Sequence, residues 1–140
     1  MRPLHILLAE DDSISAWITQ QSLESAPFAY TLQVVSDGEE AIEYLMKSGK
    51  FIHAPTTDLV ILDLNMPNKD GLEVLQHMRL EENLTKTPVI ILTTSAAQRD
   101  IEATFNAHAA CYINKPFDEQ QLLKAIDIIK QSWLPLHTAF

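Results

Sequence analysis

Four acidic side chains stand directly after apolar runs in this sequence, and they are the residues best placed to bind an ion. Glu10, Asp11 and Asp12 follow the apolar residues 4–9, and Asp63 follows the run 59–62. Carboxylates that converge without a nearby lysine or arginine repel one another, and a divalent cation with oxygen ligands removes that repulsion. Each acidic site alone could simply cap a helix or interact with its dipole. The occurrence of both sites together favours metal binding.

A hydroxyl group and an ammonium group follow two further apolar runs. Thr93 comes directly after residues 89–92, and Lys115 comes directly after residues 111–114. A strand-end threonine or a surface lysine needs no functional explanation when it occurs alone. The ordered set of acids, threonine and lysine is far more specific than any one member.

These side chains need elements that bring them together, and the sequence predicts five alternating strand–helix units. The apolar runs are short and continuous, as in strands that are buried on both faces of a parallel sheet. In open α/β sheets, ligands bind outside the carboxyl ends of the strands, so we expect all these side chains at one rim. We predict strands near residues 4–9, 31–36, 57–63, 88–93 and 111–114. We predict helices near residues 13–25, 38–48, 71–82, 96–107 and 118–132.

The first and last helices carry apolar residues at helical spacing. In the first helix, we expect Ser13 to be the N-cap and Ile14, Trp17 and Ile18 to form the buried stripe. The buried stripe that we expect for the last helix comprises Leu122, Ile126, Ile129 and Trp133.

Composition limits the classes of function. A chain of 140 residues with 46% hydrophobic residues fits one globular domain. The net charge of −9 and the lack of a Lys/Arg cluster argue against nucleic-acid binding. No apolar run is long enough to span a membrane and no leader pattern is visible, so we expect a cytoplasmic protein. Cys111 is the only cysteine, which excludes an intrachain disulfide and a cysteine-based zinc site.

The ordered set resembles the receiver domain of two-component response regulators over roughly residues 4–131. The resemblance implies that Asp63 is the phosphoacceptor, and that Glu10 and Asp11 hold Mg²⁺ together with Asp63 and the backbone carbonyl of Asn65. Glu10 stands where many members have Asp, and its longer side chain suggests contact with the metal through water. The implied fold is the flavodoxin-like, doubly wound (βα)5 fold, with a parallel five-stranded sheet in the order 2-1-3-4-5.

The resemblance also implies a conformational switch. Thr93 matches the switch hydroxyl, Tyr112 the switch aromatic residue, and Lys115 the lysine of a Lys-Pro turn in which Pro116 is expected to be cis. The implied activity is acceptance of a phosphoryl group from a sensor histidine kinase, and not turnover of a substrate. The loop at 106–110 departs from the Gly-Ala pair that is frequent in the family.

Two other functions fit parts of the pattern. A metal-dependent phosphohydrolase also forms an aspartyl phosphate, but such enzymes usually have a second Asp two residues after the nucleophile, where this chain has Asn65. They also usually carry a cap insertion. A pseudo-receiver that only binds partners would not need the intact set of site residues.

The sequence assigns residues 1–132 to the receiver domain and residues 133–140 to a short tail, with no output domain, so a stand-alone regulator is expected. The motifs at 63–71, 92–95 and 111–113 are most similar to small regulators that are paired with bacterial and cyanobacterial phytochrome kinases. Trp133, Leu134, Leu136 and Phe140 make the tail apolar. The tail is therefore expected to fold back on the last helix or to extend a homodimer interface made by helix 4, strand 5 and helix 5.

Overall fold

The computed structural model describes residues 2–132, and these residues form alternating strands and helices. The strands are β1 (Leu4–Ala9), β2 (Tyr30–Val35), β3 (Leu59–Leu62), β4 (Val89–Thr93) and β5 (Cys111–Asn114). The helices are α1 (Ser13–Glu24), α2 (Gly38–Leu45), α3 (Gly71–Leu80), α4 (Gln98–Asn106) and α5 (Glu119–Ser132). Two short 3₁₀ turns, Gly49–Phe51 and Glu82–Leu84, precede β3 and β4. The predicted tail at 133–140 lies outside the described residues.

All five strands are parallel, and their order is β2-β1-β3-β4-β5. The predicted fold class and strand order are thereby confirmed. Residues of β3 and β4 are buried on both faces, which explains why their sequences read as continuous apolar runs. Side chains that alternate along the strands enter two separate apolar clusters, one on each face of the sheet. The carboxyl ends of β1, β3, β4 and β5 are therefore fixed next to one another by a rigid, two-sided core.

Local sequence determines where α2 and α3 begin. Asp70 and Glu73 form a complete capping box at the start of α3, with side-chain to backbone distances of 2.9 and 3.1 Å. Asp37 caps α2, because its side chain accepts a hydrogen bond from the N–H of Glu40 at 2.7 Å. Helix α2 ends at Leu45, before the predicted residue 48, and Lys47 follows it with a positive φ of 55°. Both caps lie beside the loop that follows Asp63.

The predicted buried stripe of α1 is wrong. Ile14, Trp17 and Ile18 are 69%, 59% and 43% exposed. The buried face consists mainly of smaller side chains, namely Ala16, Thr19, Ser22 and Leu23. The Thr19 and Ser22 hydroxyls donate to backbone carbonyls within the helix, so these polar groups are satisfied inside the protein.

The predicted N-cap of α1 is also displaced by one residue. The side chain of Asp12, and not that of Ser13, accepts a hydrogen bond from the N–H of Ile14 at 3.1 Å. In α5, the predicted stripe is confirmed for Leu122, Ile126 and Ile129, which are all buried. Its fourth member, Trp133, lies outside the described residues.

Over residues 2–132, no helix is both long enough and apolar enough to cross a membrane.

Candidate functional site

The chemically active side chains meet at the carboxyl rim of the sheet. Glu10 follows β1, Asp63 follows β3, Thr93 is the last residue of β4, and Lys115 follows β5. Glu10, Asp63 and Thr93 are only 3%, 7% and 0% exposed. Burial of two carboxylates is costly unless they are paired, so this arrangement needs compensating charge.

Lys115 supplies that charge. Its Nζ donates to Oδ2 of Asp63 at 3.1 Å and to Oε1 of Glu10. The side chain of Lys115 is itself only 11% exposed, so the three charges form a largely desolvated cluster. As a compact point charge, a lysine at this rim is expected to pair with Asp63. The second contact, with Glu10, was not predicted, because it depends on how far two long side chains reach across the rim.

The acidic group fits a divalent cation. Carboxylate oxygens of Glu10, Asp11 and Asp63 all lie within 4.8 Å of one another. Asp11 is exposed while the other two acids are buried, so the group opens to solvent on one side. Oxygen donors with a net negative charge are the ligands that Mg²⁺ prefers. The single ammonium of Lys115 leaves this group of three carboxylates with a net negative charge.

Burial and neighbouring charges move the pKa values of this cluster in opposite directions. Burial raises the pKa of Glu10 to about 7, and the charge of Asp63 adds to this effect although Lys115 opposes it. Burial would also raise the pKa of Asp63. Interactions with the Glu10 side chain and the Asn65 N–H, followed by smaller ones with Thr93 and Lys115, outweigh burial and lower it. Of the two buried carboxylates, Asp63 is therefore the one whose pKa favours the ionised form.

Asn65 and Thr93 surround the Asp63 carboxylate. The N–H of Asn65 donates to Oδ1 of Asp63 at 3.1 Å, while Nδ2 of Asn65 lies 3.4 Å from the hydroxyl oxygen of Thr93. The hydroxyl oxygen of Thr93 also accepts from the N–H of Ser95 at 3.4 Å. Thr93 thus connects the site to the loop between β4 and α4.

Tyr112 contacts the same loop, and its described side-chain hydrogen bond goes to Ser95 and not to the carboxylates. It is half-buried, and its hydroxyl donates to the carbonyl of Ser95 at 2.7 Å. Nδ2 of Asn114 donates to the same carbonyl at 2.7 Å, and the Ser95 hydroxyl donates to Asp100 at 2.6 Å. The roles of Ser95, Asp100 and Asn114 were not predicted, because contacts between a loop and a strand leave no periodic signal in the sequence.

Two backbone features shape the rim. The Lys115–Pro116 peptide bond is cis. A Cβ atom added at Gly71 would lie 2.1 Å from the carbonyl oxygen of Asp63, which is far inside van der Waals contact. The first turn of α3 can therefore pack directly against the backbone of Asp63 only because residue 71 has no side chain.

A pocket of about 310 Å³ adjoins the cluster, and its lining is mostly apolar. It lies beside Lys115 and extends to Ile18, one of the exposed apolar residues of α1. The lining residues are Ser15, Ile18, Thr94, Lys115, Pro116 and Phe117.

Comparison with known proteins agrees with this geometry. Residues 6–127 match the family model of the response regulator receiver domain. The chain belongs to this family. Response regulator Rcp1 from Synechocystis sp. is 34% identical to this receiver domain over 132 residues, which cover 94% of this chain and 90% of Rcp1.

Solved receiver structures are similar over almost the whole chain. The Mn²⁺-bound form of Rcp1 has a TM-score of 0.81 and 33% identity, covering 99% of this chain and 98% of that one. The phosphorylated cyanobacterial phytochrome response regulator RcpA has a TM-score of 0.82 and 34% identity, with the same coverage. The receiver domain of the sensor histidine kinase PA1611 from Pseudomonas aeruginosa holds a magnesium ion in its active-site cleft. Its TM-score is 0.75 at 28% identity, covering 94% of this chain and 98% of that domain.

The predicted family is confirmed, as is the resemblance to regulators of phytochromes. Receiver domains act in two-component signalling and pair with histidine kinases, so this chain is a signalling domain that accepts a phosphoryl group. Related receiver domains bind divalent metal ions, as the Mn²⁺ and Mg²⁺ forms show.

Proposed function

We propose that Asp63 is the phosphoacceptor of this receiver domain and that the reaction requires Mg²⁺. The observation that carries this proposal is the surroundings of the Asp63 carboxylate. It accepts from Lys115 and from the Asn65 N–H, both at 3.1 Å, and its pKa is lowered, so an ionised oxygen is available as a nucleophile.

In the proposed transfer, an oxygen of Asp63 attacks the phosphorus of a phosphohistidine on the kinase. The new O–P bond forms as the N–P bond breaks, and the electron pair of the N–P bond remains on the imidazole nitrogen, which takes up a proton from water. Lys115, already within hydrogen-bond distance of Asp63, is positioned to pair with a phosphoryl oxygen. The hydroxyl of Thr93 donates to another phosphoryl oxygen once the phosphoryl group is present.

Mg²⁺ would be held by Asp11, Asp63 and the backbone carbonyl of Asn65, with Glu10 in contact through water. The ion would supply positive charge that offsets the charge on the phosphoryl oxygens in the transition state. Water later hydrolyses the aspartyl phosphate. The receiver domain catalyses its own phosphorylation and dephosphorylation and turns over no other substrate.

A phosphohydrolase function is not favoured. The amide of Asn65 lies 3.4 Å from the Thr93 hydroxyl, and a neutral amide does not act as a general acid or base near pH 7. The ionised, lysine-paired Asp63 likewise argues against a pseudo-receiver.

The proposed partner is a sensor histidine kinase of the phytochrome type, because relatives across nearly the full chain are phytochrome response regulators. A kinase histidine must approach Asp63 from the open side of the rim. The exposed Ile14, Trp17 and Ile18 of α1, with the adjoining pocket, provide an apolar surface there for a helix of the kinase. Since kinases of this type form phosphohistidine from cytoplasmic ATP, we place the protein in the cytoplasm.

We also propose a homodimer through the face formed by α4, β5 and α5, extended by residues 133–140. Phe105 of α4 and Ile128 of α5 support this, because they are large apolar residues that are 50% and 54% exposed.

Phosphorylation of the purified protein tests the proposal. Wild type should gain alkali-labile label from acetyl phosphate with Mg²⁺, and should gain none in EDTA. Asp63→Asn should gain none in either condition, while the exposed control Asp127→Asn should behave as wild type. Undiminished label in Asp63→Asn would overturn the assignment. Transfer from each purified histidine kinase of the source organism then identifies the partner.

A further inference from the structure

The loop from Asp63 to α3 is bound to the start of α2 by a side-chain contact. Nδ2 of Asn68 donates to Oδ2 of Asp37 at 3.0 Å. The other oxygen of the same carboxylate caps α2 through the N–H of Glu40 at 2.7 Å. One carboxylate thus joins the loop to a helix that is itself packed in the core.

The backbone of Asn68 adopts the left-handed conformation, with φ of 68°. This conformation is disfavoured for residues with a side chain, although Asn tolerates it better than most. The N–H of Lys69 donates to the carbonyl of Pro67 at 2.8 Å, so the chain reverses tightly around Asn68. The hydrogen bond to Asp37 offsets part of the cost of this conformation.

Gly38 lets the same two segments touch. A Cβ atom added at Gly38 would lie 1.8 Å from the carbonyl oxygen of Lys69. The first turn of α2 therefore contacts the backbone of the loop directly. The clamp, as we call the set Asp37, Gly38, Asn68 and Lys69, fixes the outer half of the loop.

The part of the loop nearest Asp63 contains Asn65, which contacts the proposed phosphoacceptor. Asn65 lies three residues before Asn68 along the chain, and its N–H orients Oδ1 of Asp63 at 3.1 Å. Its carbonyl is the proposed backbone ligand of Mg²⁺. A short segment held at both ends has little freedom, so a shift at Asn68 moves Asn65 as well.

We infer that Asp37 and Asn68 are positioning residues for the phosphoryl-transfer site, and that their hydrogen bond holds the Asn65 carbonyl where Mg²⁺ needs it. This inference rests on the proposed function. It assigns a role in metal binding to α2, an element that contributes no ligand.

Two substitutions should remove the hydrogen bond between Asn68 and Asp37 without straining the local backbone. Asn68→Gly removes the amide and accepts a positive φ without strain. Asp37→Ser keeps a hydroxyl to cap α2, but is too short to reach Asn68 as well. Each substitution should raise the dissociation constant for Mg²⁺ about threefold to tenfold, the range that corresponds to loss of one hydrogen bond. The double variant should bind Mg²⁺ no more weakly than the weaker-binding single variant, because both substitutions remove the same contact.

The measurement is a Mg²⁺ titration followed by backbone amide chemical shifts, with label from acetyl phosphate measured on the same samples. Lys47→Gly is the matched control, since Lys47 also has a positive φ, of 55°, and a side-chain hydrogen bond, but lies beyond the other end of α2. Urea unfolding of every variant shows whether a change in affinity merely follows global stability.

The outcomes separate the two proposals. If wild type binds Mg²⁺ and gains label but Asn68→Gly and Asp37→Ser match it, the positioning role is wrong and the proposed function stands. The positioning role is also wrong if Lys47→Gly weakens Mg²⁺ binding equally. If wild type neither binds Mg²⁺ nor gains label, the proposed function fails and this inference fails with it.

Discussion

Glu10 is almost fully buried and shares the ammonium of Lys115 with Asp63. Within residues 2–132, the ammonium of Lys115 is the one cation paired with these two carboxylates. The cluster is therefore short of positive charge, which a bound divalent ion would supply. Burial is the largest cause of the raised pKa of Glu10, about 7, and the charge of Asp63 adds to it.

Stability without metal should consequently fall as pH rises. A raised pKa in the folded state means that the contribution of Glu10 is present below its ordinary value of 4.5 and is lost as pH rises through about 7. In EDTA, Glu10→Gln should therefore be more stable than wild type at pH 8 by on the order of 1 kcal/mol, with a smaller difference at pH 5. Urea unfolding at both pH values measures this, and a difference that is independent of pH would contradict it.

At the scale of elements, we expect the loop between β4 and α4 to respond to phosphorylation. It receives hydrogen bonds from β5 through Tyr112 and Asn114, and it contacts the site through Thr93. A hydroxyl drawn toward a phosphoryl oxygen would pull this loop, and with it the carbonyl that holds Tyr112. We therefore expect charge at the site to be coupled to packing at the face of α4 and β5.

Removal of the Thr93 hydroxyl should separate phosphorylation from the switch. Thr93→Ala should still accept label, whereas Tyr112 should no longer turn inward when beryllofluoride mimics the phosphoryl group. Fluorine NMR of fluorotyrosine-labelled wild type and Thr93→Ala, with and without the mimic, follows the ring directly. An unchanged Tyr112 signal in wild type would show that the coupling does not exist here.

Helix α1 offers a second element-scale prediction, which concerns the kinase. Trp17→Ala should slow phosphotransfer from the kinase about tenfold or more, as expected for loss of an aromatic anchor at an interface. Its rate with acetyl phosphate should not change, because Trp17 does not touch Asp63 in any described contact. Leu80→Ala, which alters another exposed apolar side chain (86% exposed), is the control. Equal slowing with both phosphate donors would place the defect in the site and not in docking.

The elements also show how far sequence reasoning reaches. Continuous apolar runs located β1, β3 and β4 correctly, since strands buried on both faces leave a strong signal. The order of the strands came from the family resemblance, because spacing along the chain does not determine it. The stripe of α1 was misjudged since helical periodicity identifies an apolar face but not whether core or partner covers it. Contacts such as Glu10 with Lys115 depend on side-chain reach and left no signal.

At the scale of the whole molecule, the surface proposed to bind the kinase and the face proposed to switch lie on different elements. The kinase surface is proposed on α1, and the proposed switch and dimer face is formed by α4, β5 and α5. Helix α1 contacts α5, so the two proposed surfaces are neighbours on one core.

Truncation after Ser132 tests the contribution of the tail to that dimer. With beryllofluoride, the full chain should have twice the mass of the monomer in light scattering. The truncated chain should form a weaker dimer, which dissociates at a higher protein concentration. An equal mass for both proteins would show that the tail does not contribute to the interface. If the full chain remains a monomer at high concentration, with and without beryllofluoride, the proposed homodimer is wrong.

The close approach of Gly71 to Asp63 affects how variation in this protein should be interpreted. A saturation mutagenesis screen scored by signalling would find Gly71 as intolerant as Asp63, because any β-carbon collides with the carbonyl oxygen 2.1 Å away. The two failures have different origins: one removes the nucleophile, and the other leaves it intact but displaces the main chain that carries it. A screen scored in parallel for abundance would distinguish them, since Asp63→Asn should accumulate normally whereas Gly71→Ala should be degraded.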